Sequence, residues 1–282
     1  MTAESVLELI TEWQDRMRPS ERKVAAAVLA DPAAAVHLSM AGLADAAGVS
    51  EPTVMRFCTS LGFSGFQAFR LGLAQSLAVG IPVTHSAIAH DDPVDAIAGK
   101  IFDHTLSSLD RTRRSLDTTA VAAAVETLAQ AHSVLFLGLG ASGIIAQDAV
   151  AHAVQFGVPC AAPTDLHQQY MAASMCGPRT VIVAISNTGR TTSVLEVAER
   201  ARANGAKVVA VTGGPGPLAE LADIALVVRT FEDTDIYTPT VSRLAGLVLV
   251  DILATAVALR RGPEHLERLR VMKEALSVFR TS

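Results

Sequence analysis

The sequence predicts a two-domain protein: an all-α helix-turn-helix domain, then an α/β domain whose parallel sheet lies between two helix layers. Three observations carry this reading. Up to residue 79 the apolar residues recur at helical spacing. From Ser133 onward, short apolar runs alternate with amphipathic segments, as in a sheet covered on both faces by helices. Between them, residues 80–93 hold two prolines and no periodicity, which marks a linker. The expected division is 1–79 for the first domain, 80–98 for the linker and 99–282 for the second.

The 282 residues are 50% apolar, enough for two modest cores. Net charge is −5, so no dominant basic surface exists and any nucleic-acid role must be local. Cys58, Cys160 and Cys176 have neither paired nor metal-like spacing, which fits a reducing compartment. Eight scattered histidines suggest no metal site, and no cofactor is expected. Glu4, Glu8, Glu12 and Asp15 leave no apolar signal core at the N-terminus. Residues 244–259 are strongly apolar but broken by Asp251, which predicts a helix buried in a core or subunit contact rather than a membrane span. A cytoplasmic protein is expected.

Val6, Leu7, Leu9, Ile10 and Trp13 mark a first helix, and Ser20 is placed to cap a second over 21–30, stopped by Asp31-Pro32. Ser39 can cap a short helix carrying Leu43, Ala44 and Ala47. Gly48-Val49 makes a tight turn, and Ser50 is placed to cap the next helix, with Pro52 in its first turn. In that helix Val54, Phe57, Cys58 and Leu61 face inward, while Pro52, Met55, Arg56 and Thr59 face out. Helix, glycine turn, capped helix is the helix-turn-helix pattern. Ser50 and Thr53 would reach DNA phosphates, and Arg56 a guanine edge or a phosphate. A plain helical bundle has the same spacing, and the charge is unfavourable. Arg16, Arg18, Arg22, Lys23, Arg56 and Arg70 face Glu4, Glu8, Glu12, Asp15, Glu21, Asp31, Asp45 and Glu51. So few cations imply a weak phosphate term and an oligomer that combines half-sites. Phe63, Phe66 and Phe69 read as core.

A helix over 95–114 and another, capped by Thr118 or Thr119 and running to 131, lead into the second domain. Strands follow at 134–137, 157–160, 181–185, 207–211 and 224–228. Ligands of parallel sheets bind at the carboxyl ends of the strands, and two notable turns lie there. The first is Gly138-Leu139-Gly140-Ala141-Ser142-Gly143. The second is Ser186-Asn187-Thr188-Gly189-Arg190-Thr191, followed by a helix with Val194, Val197, Ala198 and Ala201 on one face. Free N–H groups at a helix start, a glycine that admits close backbone approach and several hydroxyls make an anion cradle. One phosphate ester held by Ser142, Ser186, Thr188, Gly189 and Thr191 accounts for both turns. Two alternatives stay open. Gly138, Gly140 and Gly143 with Asp165 fit a dinucleotide fingerprint. An isomerase would need a base, for which His167 is the histidine to test, with Glu196 and Glu199 expected to be solvated.

These features together resemble the RpiR family of bacterial transcription regulators, which join an N-terminal helix-turn-helix domain to a C-terminal sugar isomerase (SIS) domain. The first turn is similar to the SIS glycine-serine turn, and 186–191 to its Ser-x-Ser-Gly-x-Thr phosphate loop with Thr188 at the middle hydroxyl. Ser50-Glu-Pro-Thr-Val-Met-Arg56, Leu73-Ala-Gln-Ser-Leu77, Glu232-Asp-Thr-Asp-Ile-Tyr237, Val241-Ser-Arg-Leu244, Leu253-Ala-Thr255 and Leu259-Arg-Arg-Gly262 resemble the HexR-type branch. The resemblance implies a flavodoxin-like sheet, operator DNA as partner and a non-enzymatic repressor of glucose and Entner–Doudoroff genes. It also implies 2-keto-3-deoxy-6-phosphogluconate as the effector that releases DNA. A homodimer or homotetramer is expected.

Overall fold

A computed structural model describes residues 6–78, 88, 92–230 and 241–279. The chain forms two compact units, Met1–Ser107 and Ser108–Ser282. Most of 80–93 and all of the 232–237 run lie outside the described residues.

The first unit holds α1 (Val6–Trp13), α2 (Pro19–Ala30), α3 (Pro32–His37), α4 (Met40–Ala47), α5 (Glu51–Ser60), α6 (Phe66–Ala78) and the start of α7 (Val94–Ser115). Residues 94–98, assigned above to the linker, are therefore helical. Helix α2 begins at Pro19, not after a Ser20 cap: proline needs no donor partner there, and the Glu21 carboxylate accepts from Arg18 N at 3.0 Å. Asp31 ends α2 and also starts α3, which the sequence pattern did not reveal, by accepting from Ala34 N at 2.9 Å. Ser39 caps α4 as expected, accepting from Gly42 N at 3.0 Å. Gly48 turns the chain at φ 62°, a conformation glycine adopts without Cβ strain. Helices α4 and α5 pack on α2, and Val54, Phe57, Cys58 and Leu61 are buried as their spacing predicts. Phe69 centres the core, with the Phe57, Phe63 and Phe66 rings 5.4, 5.6 and 6.5 Å from its own. Burial pushes the Cys58 thiol up to about 12.

The second unit continues α7 into α8 (Thr118–Gln130), β1 (Ser133–Leu137), α9 (Ala141–Ala151), α10 (Ala153–Phe156), β2 (Cys160–Ala161), α11 (Leu166–Ser174) and β3 (Thr180–Ile185). Then come α12 (Thr192–Ala203), β4 (Lys207–Thr212), α13 (Pro217–Leu221), β5 (Ile224–Val227), α14 (Val241–Arg260) and α15 (Pro263–Ala275). The five strands are parallel in the order β2-β1-β3-β4-β5, the flavodoxin-like arrangement. Strand alternation sorts the two cores. Val134, Phe136, Val183, Ile185 and Val209 pack with α8, α9 and α14; Leu137, Ile182, Ala184, Val208 and Ala210 pack with α11, α12 and α13. Val194, Val197, Ala198 and Ala201 of α12 are all buried.

Two sequence expectations shift here, and a third, the buried helix over 244–259, holds. Asp117, not Thr118 or Thr119, caps α8: its Oδ1 accepts from Thr119 N at 2.9 Å and Ala120 N at 3.1 Å. Strand β2 starts at Cys160 rather than 157, because Gly157 (φ 68°) still terminates α10. Helix α14 is apolar and long enough to cross a membrane by composition alone. Ala245, Leu249, Leu253, Ala254 and Val257 nevertheless lie in the sheet's core, while Val248, Ile252 and Leu259 stay exposed.

Candidate effector and DNA sites

Strands β1 and β3 are neighbours, but their connections leave in opposite directions, β1 toward β2 and β3 toward β4. A crevice therefore opens between the turns that follow them, and both hydroxyl-bearing turns border it.

In the first turn, a Cβ on Gly138 would stand 2.6 Å from Ser142 O, so only glycine lets the first turn of α9 fold back over the end of β1. Gly140 precedes α9 at φ 58°. Ser142 sits half-buried in the first turn of α9. Beneath it lies Gln169 of α11, fully buried, whose Nε2 donates to Gly138 O at 2.9 Å and Pro163 O at 2.8 Å. Its Oε1 has no hydrogen-bond partner among the described residues. Sequence reasoning missed Gln169, since it lies 31 residues from the turn that it holds.

In the second turn, Ser186 is 4% exposed, and its Oγ lies 3.1 Å from Thr191 Oγ1. Gly189 has φ 62°, and a Cβ there would meet Thr212 Oγ1 at 2.8 Å, so glycine is required twice over. Thr188 Oγ1 accepts from Arg190 N at 3.3 Å. Asn187 O accepts from Gly213 N at 2.8 Å, pinning the turn to the end of β4. Thr191 is the N-cap of α12 but makes no side-chain cap bond. The 186–191 turn thus holds its hydroxyls in place at the start of a 12-residue helix, where unpaired N–H groups and the helix dipole favour an anion.

Beside these turns is an open cleft. Its polar lining comes from Ser142, Asn187, Thr212, Ser242 and Arg243, and Ile145, Ile185, Val211 and Val228 line the rest. Of the expected phosphate-binding residues, Ser142 borders this cleft. Ser186, Thr188, Gly189 and Thr191 form the adjoining turn and do not line it. Asn187, Thr212 and Arg243 are additions from the structure. Arg243 belongs to a run quoted above for its resemblance, but its position over the cleft depends on α14 crossing strand ends remote in sequence.

The residues behind the alternative readings have other surroundings. Asp165 caps α11, its Oδ1 accepting from Gln168 N at 3.1 Å. His167, Glu196 and Glu199 are exposed, and none lines the cleft.

In the first unit, Ser50 starts α5 but does not cap it with its side chain. Its Oγ lies 3.2 Å from Thr53 Oγ1, which also accepts from Arg56 Nη2 at 3.0 Å. Thr53, expected to reach a phosphate, is 5% exposed, and its hydroxyl is engaged by Ser50 and Arg56. It ties together the exposed Ser50 and Arg56. Pro52, Met55, Arg56 and Thr59 form the outward face.

Comparison with known proteins adds the following. Residues 4–80 match the helix-turn-helix domain of the rpiR family, and residues 127–256 match the SIS domain. The HTH-type transcriptional regulator HexR of Escherichia coli is 45% identical over 98% of this chain and 96% of its own length. HexR of Pseudomonas aeruginosa is 43% identical over 96% and 95%. The bifunctional protein glk of Burkholderia mallei is 38% identical over 95% of this chain, which spans 42% of that protein. Among solved structures, Vibrio vulnificus NanR complexed with ManNAc-6P superposes with a TM-score of 0.61 at 24% identity, covering 98% of this chain and all (100%) of the other.

Proposed function

Because this chain belongs to the RpiR family of helix-turn-helix transcriptional regulators, on its HexR-type branch, we propose that it represses glucose and Entner–Doudoroff genes and leaves its operator when 2-keto-3-deoxy-6-phosphogluconate binds. The observation that carries this reading is the 186–191 turn, built as an anion cradle beside Ser142 in a chain that also bears a helix-turn-helix. Ser142, Ser186, Thr188, Gly189 and Thr191 hold the phosphate through hydroxyls and backbone N–H groups. Ser50 and Arg56 contact DNA, with Thr53 fixing their geometry. The protein binds its ligand as a regulator and does not turn it over, a reading supported by its helix-turn-helix domain and its HexR relatives. It works in the cytoplasm as a homodimer or homotetramer, which pairs recognition helices that individually carry few cations.

Effector and operator act on one equilibrium. The effector favours the conformation that binds DNA less well, through the linker 80–93, and only its differential affinity for the two conformations can shift the balance. Linkage is reciprocal: the factor by which effector weakens operator binding is also the factor by which operator weakens effector binding. Calorimetric titration of the full chain with 2-keto-3-deoxy-6-phosphogluconate tests the site. Micromolar binding that is lost in Ser186→Ala is expected. Absence of binding by 2-keto-3-deoxy-6-phosphogluconate, 6-phosphogluconate and glucose 6-phosphate alike would refute it.

A further inference from the structure

The phosphate turn does not account for Arg243. This residue lies in the first turn of α14 and contributes the one charged side chain among the described residues lining the cleft. No hydrogen bond or ion pair among the described residues engages its guanidinium. Its backbone is firmly placed. Val241, Ser242 and Ala245 around it are buried, and at Gly246 an added Cβ would stand 2.6 Å from Ile145 Cδ1. That contact sets α14 directly against α9, the helix that carries Ser142. Arg243 and Ser142 therefore border one cleft on two helices in close contact, and apolar Ile145, Ile185 and Val211 also line it.

A half-buried cation over a cleft that no acid lines among the described residues is suited to a ligand that brings its own negative charge. The phosphate is already met by the starts of α9 and α12. A guanidinium offers a planar, two-pronged set of donors that matches a carboxylate. We propose that Arg243 forms a second anion subsite, which receives a carboxylate of the ligand, so that the site selects phosphorylated sugar acids over their uncharged counterparts. The proposal rests on reading 186–191 as the phosphate turn.

Two probes isolate the carboxylate: 2-keto-3-deoxy-6-phosphogluconate and its C1 methyl ester, titrated calorimetrically into the full-length protein and its Arg243→Met variant. The wild type is expected to prefer the free acid by at least about tenfold, the scale of a charge-assisted hydrogen-bonded pair. Arg243→Met should weaken the acid by roughly 10- to 100-fold and leave the ester within about twofold, collapsing the preference. Arg243→Lys, which keeps charge but loses the planar pair of donors, should retain part of it and guards against a folding defect in the first variant. Equal weakening of acid and ester would place Arg243 on the phosphate and overturn the proposal. So would a wild type that binds both equally well in a Ser186-dependent way, and that result would leave the phosphate turn standing. Binding of neither probe by the wild type would overturn both readings.

Discussion

The start of the recognition helix and the start of α12 use the same chemistry in opposite settings. Each opens with a serine whose hydroxyl meets a threonine: Ser50 with Thr53 at 3.2 Å, Ser186 with Thr191 at 3.1 Å. At α5 the serine is exposed, the threonine is buried, and Arg56 locks the pair from outside. At α12 the serine is buried at a strand end, the threonine is half-exposed, and no cation clamps them among the described residues. The first arrangement leaves Ser50 and Arg56 exposed, as the proposed DNA contact requires. The second leaves two hydroxyls that could turn toward the proposed phosphate at the start of the helix. On these proposed roles, the position of the serine relative to strand or solvent, more than its identity, separates the two turns.

Substitutions that act on one turn and spare the other test this contrast, and Gly138→Ala should have the largest effect. Its Cβ would meet backbone, Ser142 O at 2.6 Å, so the turn must deform. We expect effector binding to disappear in calorimetry, and the second unit to lose about 1–3 kcal/mol in denaturant titration, the usual cost of overpacking. Operator binding in fluorescence anisotropy should survive at permissive temperature. Ser186→Ala should weaken effector roughly 10- to 100-fold through loss of one hydrogen bond to a charged group. Its operator affinity without effector should be unchanged; a parallel loss of DNA binding would erase the distinction between the turns.

Arg56→Ala should do the reverse, raising the operator Kd by about 5- to 50-fold, within the 1–3 kcal/mol scale of a base contact, with effector titrations unaltered. Thr53→Val keeps shape and burial but frees Arg56. Operator affinity should fall only a few-fold, on the order of the 1 kcal/mol typical of one lost hydrogen bond. An effect as large as that of Arg56→Ala would mean that Thr53 does more than hold the arginine. The last prediction concerns Cys58, where operator DNA should have no effect. With its thiol raised to about 12 and its side chain fully buried, it should react with maleimide at pH 8 far more slowly than an unfolded cysteine of ordinary pKa, and operator DNA should leave that rate unchanged.

Much of this was legible from residue spacing. The inward faces of α5 and α12 follow from their i, i+3, i+4, i+7 residues, and all but the shortest strand from uninterrupted apolar runs. Helix starts were less legible. Ser20, Thr118 and Ser50 have the right chemistry for caps, but Glu21, Asp117 and the Ser50–Thr53 pair took those roles or changed them, since neighbouring polar groups compete for the same N–H donors. The cleft was the least legible part. Gln169 holds the first turn from α11 and Arg243 lines the cleft from α14, and no local pattern marks a side chain whose partner lies in another element. Pattern reading found the residues that build the turns. It missed those that hold the first turn or border the cleft from other elements.

The contact between Gly246 and Ile145 has a consequence for how the family's sequences can drift. Glycine at 246 lets α14 lie close against α9, with the tip of the Ile145 side chain filling the space that a Cβ would take. On the proposed two-anion site, a variant that enlarges Gly246 or Ile145 is expected to shift Ser142 relative to Arg243 and so alter the span offered to the two charged ends of the ligand. The separation of these helices is in effect a ruler, and a change at a position that touches no ligand could retune which length of phosphorylated acid fits.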